Sequence, residues 1–181
     1  MERQITLIAL FAALIAVLGL VPQFTLASGV PITAQGMGIM LCGTVLGAKR
    51  GALAVLLFLA LVALGLPLLA GGRGGLGVFV GPTTGFLIGF PIAAFVAGWI
   101  VERMRNTPIL TAAFIGAVIG GIPVLYVFGV IGMSITLDKT LVEAALLVTP
   151  FIPGDLIKAG LAAALTASLL KARPASVLSR G

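Results

Sequence analysis

The feature that most limits the fold of this sequence is a series of long stretches without charge. The first, Ile5 to Val21, has 17 residues, of which Thr6 is the only one with a polar side chain. About 20 mainly apolar residues are enough for a helix to cross the hydrocarbon core of a bilayer. Similar stretches recur through the 181 residues, which are 60% hydrophobic and only 9% charged. The pattern therefore predicts an all-α membrane protein with no soluble domain.

We predict six transmembrane helices in a single integral membrane domain covering residues 1–181. The predicted spans are about 5–21, 35–48, 51–70, 82–101, 108–133 and 154–170. A signal peptide is the competing interpretation of the first stretch, but that stretch is long for the apolar part of one. With six spans, both termini lie on the same side of the membrane.

The basic residues indicate which side that is. Eight of the eleven lysines and arginines fall on the side of the termini in this topology, and such an excess marks the cytoplasm. They are Arg3, Lys49, Arg50, Arg103, Arg105, Lys171, Arg173 and Arg180. We therefore expect cytoplasmic N and C termini and a multi-pass membrane protein. The net charge of +6 serves topology, and we expect no nucleic-acid partner.

Several kinds of chemistry are excluded by what the sequence lacks. It has no histidine and only one cysteine, Cys42, so a zinc or haem site and a Ser-His-Asp triad are not expected. No Gly-Lys dipeptide occurs, so there is no nucleotide-binding loop. An intramembrane enzyme built on Asp155 would lack a partner aspartate in another span. We predict no enzyme activity, no cofactor and no bound metal.

Small residues four apart suggest close helix packing. Gly43 and Gly47 have this spacing in the second span, and Gly116 and Gly120 have it in the fifth. In the first span Ala9 and Ala13 are four apart, although alanine is also an ordinary helix residue. Such pairs let another helix approach closely within a membrane.

Asp155 and Lys158 are the most unusual charges in the chain. They are three residues apart, so both lie on one helix face, and the following stretch Ala159 to Leu170 has no ionisable group. The 13 residues from Lys158 to Lys171 cover about 20 Å of helix, which places Lys158 in the outer third of the membrane. Intramembrane charges are functional by default, although a self-neutralised structural pair is the alternative.

A glycine-rich loop with a single arginine precedes the fourth span. Residues 71–77 contain five glycines around Arg73, which excludes a stable helix. Such a loop brings backbone N–H groups and a guanidinium to an anion, or it is simply a flexible connector. The topology places Arg73 on the same side as Asp155 and Lys158. A small ligand with an anionic end and polar N–H groups would suit this set, with Leu76 and Phe79 as its apolar wall.

Seven stretches, in order along nearly the whole chain, resemble the BioY family, the biotin-binding S component of energy-coupling factor (ECF) vitamin transporters. Thr84 and Phe86 depart from the pattern, which has Gly and Tyr there. The stretches are Ala-Leu-Phe-Ala-Ala-Leu-Ile-Ala-Val (9–17), Gly-Val-Pro-Ile-Thr-Ala-Gln (29–35), Leu-Gly-Ala-Lys-Arg-Gly-Ala (46–52), Gly-Leu-Pro (65–67), Ala-Gly-Gly-Arg-Gly-Gly (70–75), Gly-Pro-Thr-Thr-Gly-Phe-Leu-Ile-Gly-Phe (81–90) and Pro-Gly-Asp-Leu-Ile-Lys (153–158).

The resemblance implies a six-helix, multi-pass protein of the bacterial cell (inner) membrane with a biotin pocket open to the outside. Asp155, Lys158 and Arg73 would bind biotin, and we add Gln35 and Thr83, which lie in two of the matching stretches. Ala9 and Ala13 would dock a transmembrane coupling subunit, and two partner ATPase subunits would supply the energy. The alternatives are an S component or facilitator for another small carboxylated vitamin, with or without the module, and a purely structural membrane protein.

Overall fold

The computed structural model describes residues 2–25 and 29–181 and is predominantly helical. This confirms the predicted all-α class. The helices are α1 (Glu2–Leu18), α2 (Gln35–Leu46), α3 (Ala48–Ala63), α4 (Thr84–Arg103), α5 (Ile109–Ile119), α6 (Leu125–Thr136), α7 (Leu141–Val148) and α8 (Ile152–Ala172). Three continuous helical stretches are long and apolar enough to cross a membrane: Thr84–Arg103, Ile109–Thr136 and Leu141–Ala172.

Two of these long stretches are interrupted by irregular turns. A π-helical turn at Gly120–Val124 joins α5 to α6 and contains Pro123, which has no N–H to donate to the helix ladder. A 3₁₀ turn at Thr149–Phe151 joins α7 to α8. The short helix α7 begins at a capping box formed by Thr140 and Glu143.

Helix boundaries differ from the predicted spans, two of which stop on either side of the charged residues Lys49 and Arg50. Lys49 and Arg50 lie in the first turn of α3, because Gly47 takes a φ of 83° and reverses the chain between α2 and α3. The third helix ends at Ala63 rather than near residue 70, and Gly65 follows it with a φ of 103°. Helix α6 continues to Thr136, three residues past the predicted end of the fifth span at residue 133.

The segment 22–34, which the predicted spans leave as a loop, contains a small antiparallel hairpin. Its strands are β1 (Phe24–Thr25) and β2 (Pro31–Ile32), with Phe24 opposite Ile32 and Thr25 opposite Pro31. Residues 26–28 of the predicted loop lie outside the described residues.

Glycines bring α2, α4 and α5 close together. A side chain at Gly43 would overlap the α4 backbone at Ala94, and one at Gly116 or Gly120 would overlap the α4 backbone at Ala97 or Ala93. The predicted close-packing role is therefore confirmed for these three glycines. Gly47 instead forms the α2–α3 turn, against the side chain of Glu102.

The basic ends of the helices meet at one end of the molecule. Glu102, at the end of α4, accepts a hydrogen bond of 2.9 Å from the N–H of Ala48. Arg180 in the C-terminal tail donates to the carbonyls of Arg105 and Thr107. Gln4 lines a surface cleft with Lys49, Arg50 and Glu102, which places the start of α1 at this end too.

Candidate ligand-binding cavity

The centre of the candidate site is an ion pair in the first turns of α8. Lys158 Nζ donates to Asp155 Oδ1 at 2.7 Å, and the two side chains are only 16% and 10% exposed. The spacing of three residues puts both on one face, as the sequence predicts. Asp155 lies in the first turn of the helix, where a negative charge is favoured by the helix dipole.

Tyr126, which lies on another helix, is the second hydrogen-bond partner of the Asp155 carboxylate. Its hydroxyl donates to Asp155 Oδ2 at 2.7 Å, and both residues are buried. Tyr126 is the second residue after the π-helical turn, a type of irregularity found often at functional sites. The sequence analysis missed it, although it is the only tyrosine in the chain and lies three residues after Pro123.

Arg73 is held by its own turn. Its backbone exchanges two hydrogen bonds with Leu69, and its Nε donates to the carbonyl of Ala70 at 3.2 Å. Gly71 and Gly72 have φ values of +77° and +70°, a conformation that glycine adopts without strain. Partial burial lowers the pKa of the guanidinium from its ordinary value, but an arginine keeps its charge. Among the residues that the structure describes, Asp155–Lys158 is the only ion pair, so Arg73 has no acidic partner.

Gln35 lies at the start of α2 and is only 2% exposed. Its Nε2 donates to the carbonyls of Ile15 and Leu68, and its Oε1 accepts from the N–H of Ala70, all at 3.0 Å. The amide thus fastens the end of α1 and the segment before Arg73 to α2. Gln35 borders the cavity, but its polar atoms are already engaged by the backbone.

These residues surround one cavity of about 600 Å³, its open mouth included. All five predicted ligand-binding residues line it. Among the described residues, the lining consists of Val30, Pro31, Thr33, Gln35, Gly36, Leu69, Arg73, Thr83, Phe86, Leu87, Phe90, Leu125, Tyr126, Phe151, Asp155 and Lys158.

The apolar wall differs from the one predicted. Leu76 and Phe79 do not line the cavity, and Leu76 is 72% exposed. They lie on a 3₁₀ turn that follows the arginine loop, whereas the wall is formed chiefly by phenylalanines of α4 and of the turn before α8. The Phe86 ring lies 6.1 Å from that of Phe151 and packs edge-on against Tyr126 at 6.5 Å.

The two departures from the family pattern occupy different places. Phe86 is part of the cavity wall, next to Tyr126. Thr84 does not line the cavity, and its hydroxyl donates to the carbonyl of Gly81 at 2.7 Å.

The charges of the cavity fit a ligand with one negative charge. Arg73 and Lys158 contribute two positive charges and Asp155 one negative charge, so the lining carries a net charge of +1. Lys158 is already paired with Asp155, whereas Arg73 has no acidic partner among the described residues. The Asp155 carboxylate has about four lone-pair positions, of which Tyr126 and Lys158 use two. The remaining positions suit ligand N–H donors.

Ala9 and Ala13 lie outside the cavity. Both are exposed on α1, while Phe11, Ala12 and Ile15 on the other side of the helix are buried. The structure therefore leaves the two alanines on an exposed face of α1, which also carries the larger side chains of Ile5 and Val17.

Comparisons with known proteins agree on one family. The sequence model of the BioY family matches residues 2–175. The chain is 53% identical to a biotin transporter BioY from Rhodobacter capsulatus, over all of both chains, and 48% identical to one from Rhizobium etli over 95% of each. The fold matches the crystal structure of an S component for biotin from an ECF-type ABC transporter. That match has a TM-score of 0.88 and 33% identity, and covers 94% of this chain and 92% of the other.

Proposed function

The chain belongs to the BioY family, and we propose that it is the substrate-binding membrane subunit for biotin uptake, capturing biotin from outside the cell and working with an ATP-driven energy-coupling module. The family consists of transport subunits, and the chain is not an enzyme. The sequence has no nucleotide-binding loop, so ATP hydrolysis belongs to partner subunits.

The observation that carries the proposal is the charge arrangement of the cavity. Biotin has one carboxylate and a ureido ring with two N–H donors and a carbonyl. Asp155 offers the acceptor positions that the ureido N–H groups need, and Tyr126 and Lys158 hold this carboxylate in place. Arg73 offers an unpaired guanidinium for the biotin carboxylate, and guanidinium groups bind carboxylates with two parallel hydrogen bonds. The phenylalanine wall suits the rings and alkyl tail of biotin.

The basic residues at the helix ends support an orientation of the protein in the membrane. The chain is a membrane protein, and we infer a single integral domain in the bacterial cell (inner) membrane with six spans and cytoplasmic termini. The grouping of Lys49, Arg50, Arg105 and Arg180 at one end supports this, because basic residues mark the cytoplasmic side. Arg73, Asp155 and Lys158 belong to the opposite end, where biotin enters. Ala9 and Ala13, exposed on α1, form the docking surface for the coupling subunit of the module.

The test is titration of the purified protein in detergent with biotin, after removal of any co-purified ligand. We expect tight binding by the native chain and loss of binding on Asp155→Asn and Arg73→Gln. Lys171→Gln, at the other end of α8, is the matched control and should bind as the native chain does. Absence of binding by the folded native chain contradicts the proposal, and displacement of biotin by another carboxylated vitamin identifies the alternative substrate. Uptake in cells with and without the coupling module tests the partner subunits.

A further inference from the structure

A second cavity adjoins the first at Arg73 and Thr83. It has a volume of about 680 Å³, its open side included, and we call it the outer cup. Arg73 and Thr83 line both cavities, so they form the boundary between them. The rest of the outer cup consists of Val78 and four glycines, Gly72, Gly74, Gly77 and Gly81.

Because four of its lining residues are glycines, much of the backbone in the outer cup is not covered by side chains. A side-chain carbon placed on Gly72, Gly77 or Gly81 would meet no atom within 4 Å. Gly77 and Gly81 do not have a positive φ, so a larger residue fits their backbone conformation. The space at these two positions is therefore not required for folding.

The direction in which biotin lies in the first cavity determines which end faces the outer cup. Asp155 is the only carboxylate in the lining and is the acceptor for the ureido N–H groups. Lys158 is neutralised by Asp155 at 2.7 Å, which leaves Arg73 for the biotin carboxylate. The carboxylate end therefore lies at the boundary that Arg73 and Thr83 form with the outer cup.

We propose that the outer cup accepts the extension of biotin amides, so that the protein binds conjugates such as biotin joined to the ε-amine of lysine as well as free biotin. The amide replaces the carboxylate at the boundary, and its carbonyl accepts a hydrogen bond there. The lysine part lies in the outer cup, where its own carboxylate approaches Arg73 from the other side. This inference rests on the proposed function, since it requires biotin in the first cavity.

The experiment is a competition titration of the purified protein with biotin and with biotinyl-lysine. We expect both to bind, with biotinyl-lysine weaker because the first cavity loses the direct charge pair. Gly77→Val and Gly81→Val fill the outer cup and should lower the affinity for biotinyl-lysine by at least about tenfold, or about 1.4 kcal/mol. They should leave the affinity for biotin within about twofold, a change of about 0.4 kcal/mol. Gly160→Val, at another open position on α8 outside both cavities, is the matched control and should change neither.

The outcomes separate this inference from the proposed function. If the native chain binds biotin but not biotinyl-lysine, the inference is wrong and the function stands. If it binds neither, the proposed function is wrong, and so is the inference, because it requires biotin in the first cavity. If the two glycine variants lower both affinities equally, the outer cup shapes the biotin site rather than holding the extension, and the inference is again wrong.

Discussion

Removing Lys158 alone should destabilise the protein more than removing Asp155 and Lys158 together. Lys158→Met deletes the ammonium group and keeps most of the side-chain volume. It leaves a carboxylate that is 10% exposed with Tyr126 as its one remaining hydrogen-bond partner. In the double variant, Asp155→Asn with Lys158→Met, no charge remains to be solvated.

The size of the effect follows from the geometry of the pair. At 2.7 Å and an effective dielectric constant of about 20, Coulomb's law gives an attraction of about 6 kcal/mol. Desolvation offsets part of it, and breaking a buried pair by removing one partner typically costs about 3–5 kcal/mol. For a chain of this size each kcal/mol shifts the melting temperature by about 2–4 °C, so Lys158→Met should lower it by about 10 °C. The double variant should regain at least about half of that loss, since a neutral pair costs less to bury.

The single thiol of the chain, Cys42, can be used to measure unfolding of these variants. Cys42 is the only cysteine and has no exposed surface, so a thiol-reactive fluorophore labels it only on unfolding. The measurement is a double-mutant cycle. It compares melting curves of the native chain, both single variants and the double variant, without ligand and in the same detergent. A double variant less stable than Lys158→Met would refute the reasoning, because it would mean that the charges do not depend on each other.

Three further variants test the site and its surroundings. Tyr126→Phe should lower stability by about 1.5–3 kcal/mol, because a hydrogen bond to a charged group is lost, and should weaken biotin binding about tenfold in the same titration. Gln35→Leu should lower stability by about 3 kcal/mol in the thiol assay, since it leaves buried backbone groups such as the N–H of Ala70 unpaired. Ala9→Leu with Ala13→Leu should leave biotin affinity unchanged but reduce module-dependent uptake, and normal uptake would contradict docking at this surface.

Much of the fold was predictable because hydrophobic runs and turn residues act locally. The long uncharged stretches became helices, and the capping box at Thr140 began α7 as its sequence indicates. Charge was a poor guide to helix ends. Lys49 and Arg50 form the first turn of α3, since the glycine before it, and not the charge, reverses the chain.

The charged part of the site was predictable for a different reason. An acid and a base three apart in an apolar helix must face the same way, and intramembrane charges are costly enough to need a partner. Tyr126 and the phenylalanine wall were not predictable in this way, because aromatic residues are common in apolar helices. Only the packing of α4 against α6 brings the rings of Phe86 and Tyr126 to the same cavity. Gln35 lines the cavity, and its role in ligand binding stays a prediction; its bonds to three backbone segments depend on the tertiary fold.

The shortness of α2 leaves room for the cavity at one end of this helix. Its 12 residues cover about 18 Å, less than the roughly 30 Å of a hydrocarbon core. At its Gln35 end the remaining space is the cavity. At its other end the C-terminal tail fills the space, where Ser179, which is fully buried, donates to the carbonyl of Thr44 at 2.6 Å. Between the two, α2 is buried from Gly38 to Leu46. A ligand bound at Asp155 therefore faces a packed core on the far side, and its release there requires the subunit to reorient or repack rather than to open a simple channel.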